Sequence, residues 1–163
     1  MAEIRELTAD DWRDWRALRL VALEESPHAF GARLAEWQGE GDTELRWRQR
    51  LTDWPFNVLA SVDGRDAGMA SGTLPDQHGV VDLHSMYVAS FARGHGVGDA
   101  LIEAVLGWAS RHDARSVRLQ VFEDNTAAIA LYRRKGFLDA GTVRYARLAL
   151  KMERGLRRPS RSA

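Results

Sequence analysis

With 163 residues, 45% of them hydrophobic and 28% charged, the chain has the size and make-up of one soluble globular domain with a proper core. Lys+Arg and Asp+Glu both number 23, a formal net charge of zero, so no overall field points to nucleic acid or to an anionic membrane. Cysteine is absent, which removes disulfides, thiolate metal sites and a cysteine nucleophile; no apolar run resembles a signal peptide or a membrane span, and the expected location is the cytoplasm.

Residues 4–7 read as a short first strand. Thr8 follows as a helix N-cap with Asp11 three positions on, a capping-box spacing. The helix is expected to run to about Glu24, with Trp12, Trp15, Leu18, Ala22 and Leu23 on its apolar face. Pro27 ends it. Residues 26–31 form a turn anchored by Phe30, and Phe30, Leu34 and Trp37 stand at helical spacing. After a loop at 39–42, Thr43 caps a short helix through Leu51. The Trp and Phe residues of this region read first as core.

Residues 56–62 are a strand, Asp63-Gly64 is a hairpin signal, and 66–74 is the return strand. A polar turn at 75–79 leads to a strand at 80–88, so 56–88 is an antiparallel meander. Next come Arg93 and three alternate glycines, Gly94, Gly96 and Gly98, and then an apolar helical run, Ala100, Leu101, Ala104, Val105 and Trp108. Strand, basic glycine turn and helix N-terminus make an anion site: the first N–H groups of a helix lack intrahelical acceptors, the dipole favours negative charge, and Arg93 adds a fork of donors suited to phosphate. The turn is neither a P-loop, since no Lys follows the glycines, nor a dinucleotide fingerprint, since Asp99 stands where the third glycine would be. On its own it could still be a plain strand-to-helix turn.

The helix 98–111 crosses to a strand at 116–121, which makes 80–88 and 116–121 parallel. Asn125 caps the next helix, Ala128, Leu131 and Tyr132 line one face, and Gly136 closes it. Residues 138–140, a turn at Gly141 and a last strand near 145–152 complete a mixed α/β sheet. The tail 154–163 is basic and without an apolar pattern, and reads as disordered.

Two stretches together carry a resemblance. Arg93, Gly96 and Gly98 match [RQ]-x-x-G-x-[GA], and Asn125, Ala128, Leu131, Tyr132, Gly136 and Phe137 match N-x-x-A-x-x-L-Y-x-x-x-G-F. In this order and spacing they resemble the Gcn5-related N-acetyltransferase family over residues 3–152. The resemblance implies a single domain, 1–153, with a mixed, mostly antiparallel central sheet flanked by helices, in which strands 80–88 and 116–121 splay apart around acetyl-CoA. It implies direct transfer of an acetyl group from acetyl-CoA to an amine, with no metal. The pyrophosphate is expected to meet the N–H groups of Gly94, His95, Gly96, Val97 and Gly98, with Arg93 nearby. Backbone at Met86 and Val88 would meet the pantetheine arm, the N–H of Val88 would polarise the thioester, and Asn125 would bond the arm. Tyr132 is the expected general acid, against the plainer reading of a core aromatic on an amphipathic helix.

Asp82 and His84, two residues apart on the central strand, are the candidates for the base, with Glu123 and Asp124 at the mouth of the neighbouring strand. Asp99 departs from what is expected of the family and is read as pointing outward. Glu24, Glu25 and His28 could face an acceptor or form a solvated turn. Pocket walls are expected from residues 20–40 and 138–146. The acceptor is read as a small-molecule amine, with a protein N-terminus or lysine, or a CoA-binding module without turnover, as the alternatives. No nucleic-acid or membrane partner is expected, and a homodimer is admitted by analogy.

Overall fold

The computed structural model describes residues 2–26 and 34–156. The expectations for His28, for Phe30 and for the tail beyond residue 156 lie outside these residues. Side-chain caps set the helix starts as the sequence signals require. Thr8 and Asp11 form the capping box, with Asp11 Oδ2 accepting from the Thr8 N–H at 2.8 Å; one 3-10 turn then opens into α1 (Trp12–Glu25). Thr43 Oγ1 accepts from the Arg46 N–H at 3.2 Å and starts α2 (Glu44–Asp53). Asn125 Oδ1 accepts from the Ala128 N–H at 3.3 Å and starts α4 (Thr126–Arg134). The fourth helix, α3 (Val97–Arg111), has Gly96 at its N-cap instead, with φ 76°.

Among the described residues the strands are β1 (Glu3–Glu6), β2 (Phe56–Val62), β3 (Arg65–Gly72), β4 (Val80–Val88), β5 (Ser116–Phe122), β6 (Leu138–Arg144) and β7 (Leu148–Gly155). They form one sheet in the order β1-β2-β3-β4-β5-β7-β6, antiparallel throughout except for β4 with β5. The β2–β3 turn has both Asp63 (φ 51°) and Gly64 (φ 76°) left-handed, the geometry that matches the twist of a two-residue hairpin.

The sheet is covered on both faces. Leu101, Ile102, Val105 and Trp108 of α3 pack on Val58, Ala60 and Ala70. Trp15, Leu18 and Ala22 of α1 join Trp47 and Leu51 of α2 on Leu59, Met69 and Tyr87. Gly68 sets the approach of α3: a Cβ there would lie 2.8 Å from Leu101 Cδ1 and Val97 Cγ1, closer than real Cβ contacts allow.

Beyond shifts of one or two end residues, three elements differ from those read in the sequence. Leu34–Trp37 is a single 3-10 turn rather than part of a longer helix. Gly141 (φ 114°) is not the turn but lies inside β6, where the register with β7 shifts between Asp139 and Thr142; a glycine that resembles a loop signal here makes a β-bulge, and the chain reverses at residues 145–147. The last strand runs through Arg154 to Gly155, and the Leu156 N–H donates to Arg115 O at 2.8 Å, so strand pairing carries the chain past residue 153.

Candidate active site

The parallel pair is short. β4 and β5 are in register only at Val80–Ser116, Val81–Val117 and Asp82–Arg118, and beyond Asp82 they part. On its other edge β4 stays paired with β3 but carries a bulge: Met69 faces Tyr87 while Ser71 faces His84, so two residues of β4, Ser85 and Met86, stand opposite Ala70 alone. Ser85 has φ 56°, a costly conformation for a residue with a Cβ. The bulge shifts the alternation of the strand. The Ala89 N–H donates to Ala67 O at 2.7 Å, so Tyr87 and Ala89 turn their backbone toward β3 while Met86 and Val88 turn theirs to the open edge.

The gap opens into a cleft of about 1940 Å³ whose walls include Asp82, His84, Met86, Val88, Asn125 and Tyr132, together with Arg93, Gly94, Gly96, Val97 and Gly98. The residues read as holding the co-substrate, His95 excepted, therefore reach one cavity together with Tyr132, Asp82 and His84. The His95 N–H donates to Ala92 O at 3.3 Å, which takes it out of the expected set of anion donors: the turn that delivers Gly96 to the helix start consumes it. The N–H groups of Gly94, Gly96, Val97 and Gly98 have no acceptor among the described residues. Gly94 (φ 82°) and Gly96 (φ 76°) are left-handed with nothing within 4 Å of an added Cβ, an open concave turn. Gly98 has a different reason for being glycine: a Cβ there would come 2.8 Å from Leu131 Cδ2 of α4.

Arg93 is more than half exposed and reaches Glu25 at 3.4 Å, while the same carboxylate accepts from Tyr87 Oη at 2.6 Å. Both Glu24 and Glu25 are exposed, and Glu25 ties α1 to the strand and the glycine turn. Asp99, expected to point outward, instead lines the cleft beside the glycine turn, where Arg134 pairs with it at 3.2 Å and offsets its charge. Asp124 pairs with Arg147 at 2.7 Å, and with Glu123 it lines a separate small cavity rather than the cleft.

Tyr132 is 5% exposed and packs edge-on against Phe137 at 5.9 Å. Burial pushes its phenol pKa well above the ordinary value, so the proton stays on Oη through the neutral range. Asp82 accepts from Arg118 Nε at 2.6 Å and Nη2 at 3.1 Å. His84 lies against Trp54, ring centres 4.5 Å apart. Burial, chiefly, lowers its pKa; Asp82 opposes the shift, and Arg50, Arg19 and Arg118 add to it. The imidazole is therefore neutral at neutral pH.

The helical wall of the acceptor pocket was expected, but sequence reasoning singled out none of its cations. Arg50 and Trp54 of the α2 region and Arg19 of α1 also line the cleft. Arg50 is bound by neutral partners: Nη1 donates to Asn57 Oδ1 at 3.0 Å, and Nη2 donates to Ser71 Oγ at 3.1 Å and to Ser85 Oγ at 3.0 Å. Burial and the nearby Arg19 push its pKa down to about 9. The signal was legible in principle: Arg50 stands at i+3 from Trp47, and Arg19 at i+4 from Trp15, both within stripes that otherwise read as core.

A sequence model of the Acetyltransferase (GNAT) family matches residues 3–137. The mycothiol acetyltransferase of Clavibacter sepedonicus is 34% identical over 146 residues, covering 88% of this chain and 45% of that protein. The L-2,4-diaminobutyric acid acetyltransferase of Nocardia farcinica is 34% identical over 90 residues, 52% of this chain and 47% of that protein. The chain thus spans about half the length of these relatives. Among solved structures, the ribosomal-protein-alanine N-acetyltransferase of Brucella melitensis superposes with TM-score 0.74 at 25% identity, over 94% of this chain and 99% of that one.

Proposed function

Since the chain belongs to the Acetyltransferase (GNAT) family, we propose that it transfers an acetyl group from acetyl-CoA directly to the amine of a small molecule. The observation that carries this is the continuity of one cleft: an unpaired strand edge at Met86 and Val88, an open N–H-lined turn at Gly94–Gly98 and a protonated phenol at Tyr132 all face it. The residues fit the co-substrate. Left-handed Gly94 and Gly96 leave room for a bulky anion at the start of α3, and free strand donors and acceptors suit a peptide-like arm. Acetyl-CoA supplies an activated acetyl thioester whose sulfur is the leaving group.

The chain's own residues divide the remaining work. The N–H groups of Gly94, Gly96, Val97 and Gly98, with Arg93, hold the pyrophosphate. Met86 and Val88 align the pantetheine arm through their outward backbone, and the Val88 N–H polarises the acetyl carbonyl. Asn125 already spends its Oδ1 on the helix cap, which leaves its amide N–H₂ for the arm. Tyr132 holds at Oη the proton that the departing sulfur takes up. His84, neutral at Nδ1 or Nε2, accepts the proton of the acceptor ammonium. Both oxygens of Asp82 accept from Arg118 instead, which leaves His84 the group free to face the acceptor. A small-molecule acceptor is supported by the names of the mycothiol and diaminobutyric acid enzymes; the likeness to an enzyme named for a ribosomal protein's alanine supports a protein N-terminus as the second reading. The reading keeps the protein in the cytoplasm; among the described residues no helix is long and apolar enough to cross a membrane.

The direct test is amine-dependent release of CoA thiol from acetyl-CoA across a panel of small amines and N-terminal peptides. Stimulation by small amines alone is expected. Stimulation by peptides alone would move the assignment to the second reading, and release indifferent to every amine would reject the transferase.

A pH series tests the base. The imidazole pKa lies below its usual 6.5, so the base form persists as pH falls and is lost only on the acid side of that value. The acceptor's own ammonium imposes the same slope on wild type and on His84→Gln, and cancels in their ratio. That ratio of kcat/KM is expected to be flat above pH 6.5 and to fall below it. A ratio near one at every pH removes His84 from the proton path.

A further inference from the structure

Resting on the acetyl-transfer reading, we propose that the acceptor amine also carries a compact anion, a carboxylate or a phosphate, and that Arg50 binds it at the floor of the cleft. Arg50 occupies a core position of α2, between Trp47 and Trp54, with its guanidinium 5.0 Å from the ring centre of Trp15 and 4.8 Å from that of Trp54. Three neutral oxygens from three adjacent strands, Asn57 of β2, Ser71 of β3 and Ser85 of β4, hold it in place. Ser71 Oγ donates in turn to Asn57 Oδ1 at 2.7 Å, and Asn57 Nδ2 donates to Leu51 O at 3.2 Å and Trp54 O at 2.6 Å. The fork is therefore pre-set, with little rotamer freedom left to lose on binding.

What the network lacks is a countercharge. Among the described residues the hydrogen bonds of Arg50 run to Asn57, Ser71 and Ser85, none of them a carboxylate. Asp53 acts on it only through space, and its Oδ1 is taken by Gln49 Nε2 at 2.7 Å. A second guanidinium, Arg19, is close enough to act on the first and lines the same cleft. A largely buried cation beside another cation is costly unless an anion completes the site. A purely structural tie between α2 and the sheet would need neither charge nor exposure to the cleft.

The position suits an acceptor. Arg50 Nη2 is bonded to Ser85, the bulge residue that directly precedes Met86, so an anion on Arg50 lies beside the point where the edge of β4 opens and His84 stands. The same cations repel an acceptor with a second ammonium group, which makes the floor a filter against diamines as well as a site for amino acids or amino phosphates.

Calorimetry on the full chain saturated with CoA, so that the glycine turn is filled, tests the site with inorganic phosphate and with propionate. Saturable binding of one anion per chain is expected, weakened at least tenfold in Arg50→Gln with CoA binding retained; the anion that binds identifies the group on the acceptor. Wild type alone gives the second measurement: β-alanine or phosphoethanolamine should exceed ethanolamine and 1,3-diaminopropane at least tenfold in kcat/KM. Anion binding unchanged in folded Arg50→Gln, no saturable binding of either anion by CoA-loaded wild type, or a preference for the neutral or dicationic amine each overturns the proposal. Failure of CoA itself to bind wild type would instead overturn the acetyl-transfer reading, and the acceptor assignment with it.

Discussion

Tyr132→Phe is expected to lower kcat by about 10²-fold, the lower end of the range for a positioned acid or base, while leaving acetyl-CoA affinity within a few-fold of wild type. The substitution removes one hydroxyl and keeps the ring that packs on Phe137, so the core of α4 is preserved. The hydroxyl makes no hydrogen bond among the described residues and belongs to a side chain that lines the cleft, so its loss orphans no protein partner. What disappears is the proton that burial keeps on Oη. Steady-state kinetics with a saturating amine, alongside acetyl-CoA titration, separates the two quantities. A kcat within twofold of wild type would leave Tyr132 as a core aromatic and nothing more.

Gly96→Trp is expected to weaken acetyl-CoA binding by about 100-fold, roughly 2.7 kcal/mol, in a protein that still folds. Gly96 has φ 76°, a region that costs an L-residue on the order of 1–2 kcal/mol, and an indole there has open space to occupy because no atom lies within 4 Å of the added Cβ. That space is the proposed seat of the pyrophosphate, so the ring competes with it directly. Calorimetry of wild type and variant side by side reads the effect, and thermal unfolding of both without ligand checks the fold. A folded variant that binds acetyl-CoA as tightly as wild type would reduce the glycine turn to a strand-to-helix connection. The two substitutions should therefore fail in opposite ways, one losing turnover and keeping binding, the other losing binding.

Local signals were the ones that could be read in advance. Thr8 with Asp11, Thr43 and Asn125 mark helix starts because a short polar side chain has one good use there. Asp63-Gly64 marks its hairpin for a similarly local reason. The two spaced motifs brought their residues to one cleft because strand, turn and helix N-terminus are contiguous in the chain. The failures share a cause as well. Gly141 was ambiguous because a positive φ serves a bulge as well as a turn. His95 lies inside a motif, yet its N–H closes the turn, a partner that depends on turn geometry rather than spacing. Arg50 was passed over because its meaning depends on Asn57, Ser71 and Ser85, from three strands between 7 and 35 positions away. No periodicity reports a partner that arrives from another strand.

The bare edge of β4 beyond Asp82 has a consequence for how the protein keeps in solution. A row of unpaired strand donors and acceptors is a template for any extended chain, including a segment of a second, partly opened copy. A bound peptide-like arm would occupy that edge much as an added strand does and shield it. It would also stabilise the native state by mass action. Preparations stripped of ligand should accordingly be the ones that form sheet-rich aggregates on storage, and the concentration of co-substrate would set the shelf life of the fold as well as the rate of the reaction.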